Sequence, residues 1–163
     1  MQKISPFLMF NDQAEHAAHL YVSIFPNSRI VSISRYGDGG PHPAGTAMGV
    51  TFVIDGLRVQ AFNGGPSFSF TEAISLFAEV TDQEQLDSCW NQLLADGGTA
   101  SQCGWLRDRF GVSWQIVPTV LHQLLSDPDP AKAGRAMQAM LGMSKLDIAQ
   151  LHAAHDGIDL DTA

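Results

Sequence analysis

One stretch of the sequence, residues 102–118, gathers the side chains best suited to chemistry. It contains the thiol of Cys103, the indole of Trp105, the guanidinium of Arg107 and the amide of Gln115. A thiol can act as a nucleophile, a guanidinium binds anions, an amide hydrogen-bonds to carbonyls or hydroxyls, and an indole forms an apolar wall. Because polar groups on a half-buried sheet need partners, the cluster predicts either a binding cavity or a satisfied core network.

The same stretch has the signature of a β-hairpin. Asp108 and Gly111 stand at the first and last positions of a type I turn, and a left-handed Gly111 adds a G1 bulge that pairs Asp108 with Val112. Without the bulge the register slips by one residue. We favour the bulge because it explains the glycine. It predicts three cross-strand pairs on one face: Arg107 with Ser113, Trp105 with Gln115, and Cys103 with Val117.

Several of these side chains also have a purely structural interpretation. Cys103 has no histidine or lysine near it in the sequence to activate the thiol, so a buried structural cysteine is expected. Trp105 and Gln115 form either the wall and polar anchor of a cavity or a pair that satisfies itself across the hairpin. Trp114 and Ile116 point to the opposite face, where helices should cover them.

Three candidates outside that pairing complete the predicted site. Arg107 meets an anionic ligand at the cavity edge, or it pairs with Asp108 or Glu79. Asn63 precedes Gly-Gly-Pro, so it either reaches into the cavity or builds a turn. His42 lies between two prolines in a loop that could act as a lid, which makes it a candidate acid or base. The other histidines considered are expected to be exposed: His16, His19, His152 and His155.

Bulk composition limits the class of protein. With 163 residues the chain fits one domain with a sizeable core, and its net charge of -8 repels nucleic acid and anionic membrane surfaces. The first residues lack the pattern of a secretory signal, and no apolar run approaches bilayer length. Two cysteines form no disulfide framework. We therefore expect a cytoplasmic protein without nucleic-acid or membrane partners.

The order of predicted elements indicates a duplication. A strand, a helix and three strands fill module one, about residues 1–66, with a capping box from Asp12 to Glu15 at the helix start. A similar order fills module two, about residues 67–118. The predicted fold is α+β, a single domain over 1–163 with about eight strands. A helical extension, 119–156, carries helices near 120–125, 131–141 and 146–155, and 157–163 is expected to be a frayed tail.

Three motifs resemble a known family: Asn63-Gly64-Gly65-Pro66, Cys103-Gly104-Trp105 with Asp108, and residues 110–118. With the duplicated modules, they are similar to the PhnB-like family, often labelled "3-demethylubiquinone-9 3-methyltransferase domain". That family lies in the vicinal oxygen chelate superfamily of glyoxalase I, bleomycin-resistance proteins and extradiol dioxygenases. The resemblance implies sheets curled around a cavity that a homodimer usually completes.

In metal-dependent relatives, four strand positions supply His, Gln or Glu ligands to one divalent ion. The resemblance places them here near Ser5 or Pro6, Val59 or Gln60, Ser75, and Gln115. Only the glutamines could ligate, and neutral amides bind divalent ions weakly. We therefore expect no metal and no other cofactor. A methyl-donor nucleotide would need a glycine-rich loop that opens a helix, but Gly37-Asp38-Gly39-Gly40 runs into Pro41.

Three functions follow as hypotheses. The favoured one is a protein that binds a small, partly apolar molecule in a cavity built from the six candidates Asn63, His42, Cys103, Trp105, Arg107 and Gln115. The second is a divalent-metal-dependent lyase, isomerase or dioxygenase, and a methyltransferase is disfavoured. The third is a dimeric interaction module whose cavity is filled by side chains. No complete set of catalytic residues emerges from the sequence.

Overall fold

A computed structural model describes residues 3–159 of the chain. The chain divides into two compact units, residues 1–70 and 71–163, and each contains one four-stranded sheet. The fold is α+β, with eight strands and five helices in the described residues, as the sequence predicts. The two sheets have equivalent strand orders: in each unit the first strand pairs with the fourth, the fourth with the third, and the third with the second.

The first unit is a strand, a helix and three strands. Its first strand runs parallel to its last, and the other neighbours are antiparallel. One face of the helix is fully buried because small apolar residues recur at helical spacing: Ala14, Ala17, Ala18 and Tyr21. The elements are β1 (Phe7–Phe10), α1 (Ala14–Ile24), β2 (Arg29–Arg35), β3 (Ala47–Ile54) and β4 (Leu57–Asn63).

The predicted capping box at Asp12 and Glu15 is wrong. Helix α1 has Gln13 at its N-cap, with no capping bond from that side chain. The Ala14 amide donates instead to Oδ1 of Asn63, at 2.8 Å, from the end of β4. The Glu15 carboxylate is engaged elsewhere, by the guanidinium of Arg35 at 2.6 Å. A distant asparagine therefore satisfies the first free amide of the helix.

The second unit repeats the order and then adds three helices. Its elements are β5 (Leu76–Val80), α2 (Gln83–Leu94), β6 (Thr99–Ala100), β7 (Trp105–Arg107), β8 (Ser113–Pro118), α3 (Val120–Leu125), α4 (Pro130–Gly142) and α5 (Ile148–Asp156). Strand β5 is parallel to β8. Helix α2 packs on β8 through a buried stripe that includes Leu86, Cys89, Trp90 and Leu93. Burial raises the pKa of the Cys89 thiol, as suits a core cysteine.

Aspartates begin three of the four helices in the described part of this unit, α2, α4 and α5. Asp82 accepts from the Gln85 amide, Asp129 from Ala131 and Asp147 from Gln150. Each satisfies one of the amides that the first turn of a helix leaves without a partner. The bounds of α3, α4 and α5 lie within two residues of the predicted ones.

One expectation for the extension is wrong. His155 is buried rather than exposed, and its ring nitrogens lie 2.9 Å from Asp127 and 3.0 Å from Asp156. On α4, Met137 and Leu141 are exposed although they share a stripe with buried Ala136. Of the predicted frayed tail, residues 157–159 are described and 160–163 lie outside the described residues. No helix within residues 3–159 combines the length and apolar character needed to cross a bilayer.

An ion pair ties the extension to α2 and gives a pH-dependent prediction. The Lys145 ammonium, 2.6 Å from Asp87, holds the pKa of that carboxyl below its usual value, with a smaller contribution from Gln83. A depressed carboxyl pKa stabilises the fold above the unfolded pKa, and this stabilisation is lost as pH falls through the folded pKa. Lys145→Met should therefore raise the pKa of Asp87 toward its ordinary value. Carbon NMR titration of the carboxyl measures it, and an unchanged pKa would refute the pairing.

Candidate functional site

The predicted bulged hairpin forms between β7 and β8. Gly111 has a φ of 93°, its amide donates to the Asp108 carbonyl at 3.0 Å, and the Asp108 amide donates to Val112 at 2.9 Å. Trp105 pairs with Gln115, and Arg107 pairs with Ser113. The opposite face, with Leu106, Trp114 and Ile116, is buried. The left-handed glycine therefore sets the register that the sequence predicts, with Trp105, Arg107 and Gln115 on the more open face.

Asp108 holds this hairpin together from inside. The residue is 3% exposed, and its Oδ1 accepts from the amides of Phe110 at 2.9 Å and Val112 at 3.0 Å. Its Oδ2 accepts from Nε1 of Trp114 at 2.9 Å. The sequence predicts Asp108 as a turn residue and as a candidate partner of Arg107, and not as the acceptor for the Trp114 indole. The sequence does contain a signal for this bond. The strand alternation buries Trp114 next to a turn that contains an aspartate, and a buried indole N–H needs an acceptor.

The third predicted pair, Cys103 with Val117, does not form. Cys103 and Gly104 have φ values of 58° and 81°, and Trp105 N donates to Gln102 O at 3.1 Å. Positive φ at both central residues is what a type I′ hairpin turn requires. Cys103 therefore lies in the turn between β6 and β7 and is not part of either strand. Gly104 still joins the ladder, since its carbonyl accepts from the Ile116 amide at 2.8 Å.

A cleft of about 510 Å³ opens in the second unit beside this turn, and we call it the β6–β7 cleft. Strand β7 contributes the half-buried indole of Trp105 and the exposed Arg107. The size lies within the range of small-molecule sites. The other lining residues combine polar and apolar side chains: Glu72, Thr99, Ala100, Ser101, Gln102, Cys103, Leu106 and Ser113.

Two charged residues line the cleft, Arg107 and Glu72. The Arg107 guanidinium makes no ion pair or side-chain hydrogen bond within residues 3–159. The predicted pairing with Asp108 does not occur because the buried Asp108 carboxylate accepts from three N–H groups on its own hairpin. The predicted pairing with Glu79 is also absent from the ion pairs of those residues. Arg107 is therefore available to an anion in the cleft.

The other candidates lie outside this cleft. Nε2 of Gln115 donates to Oγ of Ser75 at 2.9 Å, rather than lining the cleft. Asn63 uses both ends of its amide, accepting from Ala14 and donating to the Ala47 carbonyl at 3.0 Å. His42 belongs to the first unit, where its ring lies 4.9 Å from the ring of Tyr36. The cleft thus brings together Cys103, Trp105 and Arg107 among the predicted residues.

The positions implied for a divalent metal carry two hydrogen-bonded pairs of neutral side chains. In the first unit Gln60 donates to Ser5 at 3.1 Å, and in the second Gln115 donates to Ser75 at 2.9 Å. Hydroxyls and amides without a carboxylate or imidazole make a poor donor set for a divalent ion. Within residues 3–159, no three His, Cys, Asp or Glu side chains converge on a point that could hold a metal. The residues at these positions do not fit the family metal.

The glycine-rich segment at 37–40 lies in the loop between β2 and β3, which are antiparallel neighbours. A phosphate-binding glycine loop joins a strand to the N-terminus of a helix, because helix amides hold the anion. No helix follows this loop before β3. The geometry therefore gives no support for a nucleotide site of that kind.

Comparison with known proteins gives consistent similarities. The profile of the family described as 3-demethylubiquinone-9 3-methyltransferase matches residues 2–117. A PhnB protein of Bacillus cereus is 37% identical, over 72% of this chain and 100% of that one, with a TM-score of 0.68. A Pseudomonas aeruginosa protein is 22% identical, over 72% and 98% of the two chains, with a TM-score of 0.59.

A third structure, the fosfomycin resistance protein FosX of Listeria monocytogenes, is 15% identical over 76% of this chain and 97% of that one, with a TM-score of 0.51. At such low identities, the Pseudomonas and Listeria proteins show likeness of fold alone. A search among curated proteins finds no match.

Proposed function

Because this chain belongs to the 3-demethylubiquinone-9 3-methyltransferase family, within the glyoxalase and bleomycin-resistance fold, we propose that it binds a small, partly apolar molecule that carries an anionic group. The β6–β7 cleft is the proposed site. Arg107 would hold the anion, and the indole of Trp105 would pack against the apolar part. Ser113 and the Ser101-Gln102 edge would supply hydrogen bonds.

The observation that carries the proposal is the unpaired guanidinium of Arg107 beside Trp105 on the cleft wall. The chain is acidic overall, with a net charge of -8, and such a surface repels anions. An arginine without an ion-pair partner in a cleft therefore favours anion binding at that place. A guanidinium recognises carboxylates in a two-bond geometry. The ligand class is therefore an aromatic or aliphatic carboxylate, or a molecule of similar charge and shape.

Two isosteric probes test the proposed ligand class. We expect 2-naphthoate to bind the wild-type protein about two- to fivefold more tightly than neutral 2-naphthamide, because an ion pair with the exposed guanidinium of Arg107 contributes about 0.5–1 kcal/mol. Arg107→Met should remove that preference while keeping residual binding of both probes. Arg109→Met is the matched control, since Arg109 is paired with Asp96 and does not line the cleft. Calorimetry that shows equal affinities, or no binding, would reject the proposal.

The competing functions have less support. A metal-dependent lyase, isomerase or dioxygenase would need a donor set richer than the Ser5–Gln60 and Ser75–Gln115 pairs. Methyl transfer is the reaction in the family description, but the glycine-rich segment at 37–40 does not open a helix in the described part of the chain. We also propose a homodimer, as the family resemblance implies, in a reducing cytoplasm that suits two free cysteines.

A further inference from the structure

The linker between α4 and α5 contacts the turn at the edge of the β6–β7 cleft. We call this linker together with the first residue of α5, residues 143–148, the strap. We propose that the strap positions that turn and so sets the shape of the cleft. Gln83 is the positioning residue that holds the strap itself. The proposal rests on the proposed function only for its consequence on affinity, because the mechanical part is measurable without a ligand.

At one end the strap holds the backbone of the turn. The Cys103 amide donates to the Met143 carbonyl at 2.8 Å, and the Gly104 amide donates to the Ser144 carbonyl at 2.8 Å. The Ser144 hydroxyl donates to the Ser101 carbonyl at 2.5 Å. Ser101 and Cys103 both line the cleft. Three hydrogen bonds therefore fix a piece of the cleft wall from outside it.

At the other end the strap is anchored on α2. Oε1 of Gln83 accepts from the Ile148 amide at 2.9 Å, and its Nε2 donates to the Leu146 carbonyl at 3.3 Å. The Gln83 amide thus pairs with the strap backbone as a neighbouring peptide group would. Leu146 is fully buried, and Lys145 adds its ion pair with Asp87. The turn is in this way connected to the rigid helix α2.

The strap lies beyond the part of the chain that matches the family. That match ends at residue 117, and the strap begins at residue 143. The turn and its cleft fall within the matched region, whereas the groups that hold the turn come from the linker between α4 and α5. We infer that the extension is a determinant of ligand specificity that this chain adds to the family core.

Gln83→Ala tests the proposal, with Gln92→Ala as its matched control. Both glutamines are on α2, but the Gln92 side chain donates to the carbonyl and the hydroxyl of Ser88 on the same helix. In Gln83→Ala we expect the amides of Cys103 and Gly104 to exchange with solvent about tenfold faster, because loss of the anchor lets the strap open. Alkylation of the Cys103 thiol by iodoacetamide should also speed up several-fold. Gln92→Ala should change neither rate.

Two further comparisons distinguish the effect of the strap on the turn from its effect on ligand affinity. Ser144→Ala, with Ser126→Ala as control, keeps the test valid if Gln83→Ala misfolds, since the Ser126 hydroxyl bonds only within and beside α3. Unchanged exchange or unchanged alkylation in both strap variants would overturn the proposal. Affinity for 2-naphthoate should fall about fivefold in Gln83→Ala. If the wild type binds no naphthoate, the proposed function fails while the two rates still decide the role of the strap.

Discussion

Replacing Asp108 by alanine should destabilise the protein by about 3–5 kcal/mol, because each buried donor left without an acceptor costs about 1–3 kcal/mol. The variant would leave the amides of Phe110 and Val112 and the indole N–H of Trp114 without an acceptor. Asp108→Asn should cost about 2 kcal/mol, since its oxygen can still accept the two amides while its NH₂ group faces another donor. Urea unfolding of the whole protein measures both changes. It is followed by tryptophan fluorescence, because all three tryptophans lie in the second unit.

A double-mutant cycle isolates the part that belongs to Trp114. Trp114→Phe removes the indole donor, so Asp108→Asn should cost at least about 1 kcal/mol less in that background than in the wild type. Asp38→Asn is a surface control, because Asp38 is exposed in the loop between β2 and β3 of the first unit. Additive effects of Asp108→Asn and Trp114→Phe would show that the carboxylate does not depend on the indole.

The second large effect is expected at Gly104. Gly104→Ala should cost about 3 kcal/mol, from about 1–2 kcal/mol for a left-handed backbone at φ 81° and a similar amount for overpacking. A Cβ there would lie 2.8 Å from the Ile116 carbonyl oxygen and 3.1 Å from Leu146. Backbone and a fully buried leucine cannot move aside easily, so the turn or the strap must shift.

Gly134→Ala is the control of opposite sign. Gly134 lies inside α4, and a Cβ there meets nothing within 4 Å. The substitution should stabilise the protein by about 0.5–1 kcal/mol, because alanine loses less chain entropy in a helix. Equal effects of the two substitutions in thermal unfolding would mean that the turn at Cys103 and Gly104 tolerates ordinary backbone geometry.

Local patterns in the sequence predict much of the fold. The register of Trp105 with Gln115 follows from one glycine, because a left-handed residue at position 111 fixes which side chains share a face. The α1 and α2 stripes and the helices of the extension follow from spacing and turn residues. The family match confirms the resemblance that the motifs indicate.

The sequence does not predict features that depend on distant partners. Asn63 caps α1 from 49 positions away, and no local pattern announces that bond. Cys103 lies in a turn whose amides, from Cys103 and Gly104, donate to carbonyls of the strap. The hairpin sequence alone therefore predicts the wrong partner for Cys103, namely Val117. The burial of His155 likewise requires Asp127, 28 positions earlier. In each case tertiary contacts override a local expectation.

Intermolecular NMR contacts between 2-naphthoate and the isotope-labelled protein test the central claim most directly. We predict contacts from the naphthyl protons to the indole of Trp105 and the side chain of Arg107, with shift changes at Ser101 and Ser113. Contacts that map outside the β6–β7 cleft, or shifts that persist unchanged in Arg107→Met, would contradict the assignment of this cleft as the binding site.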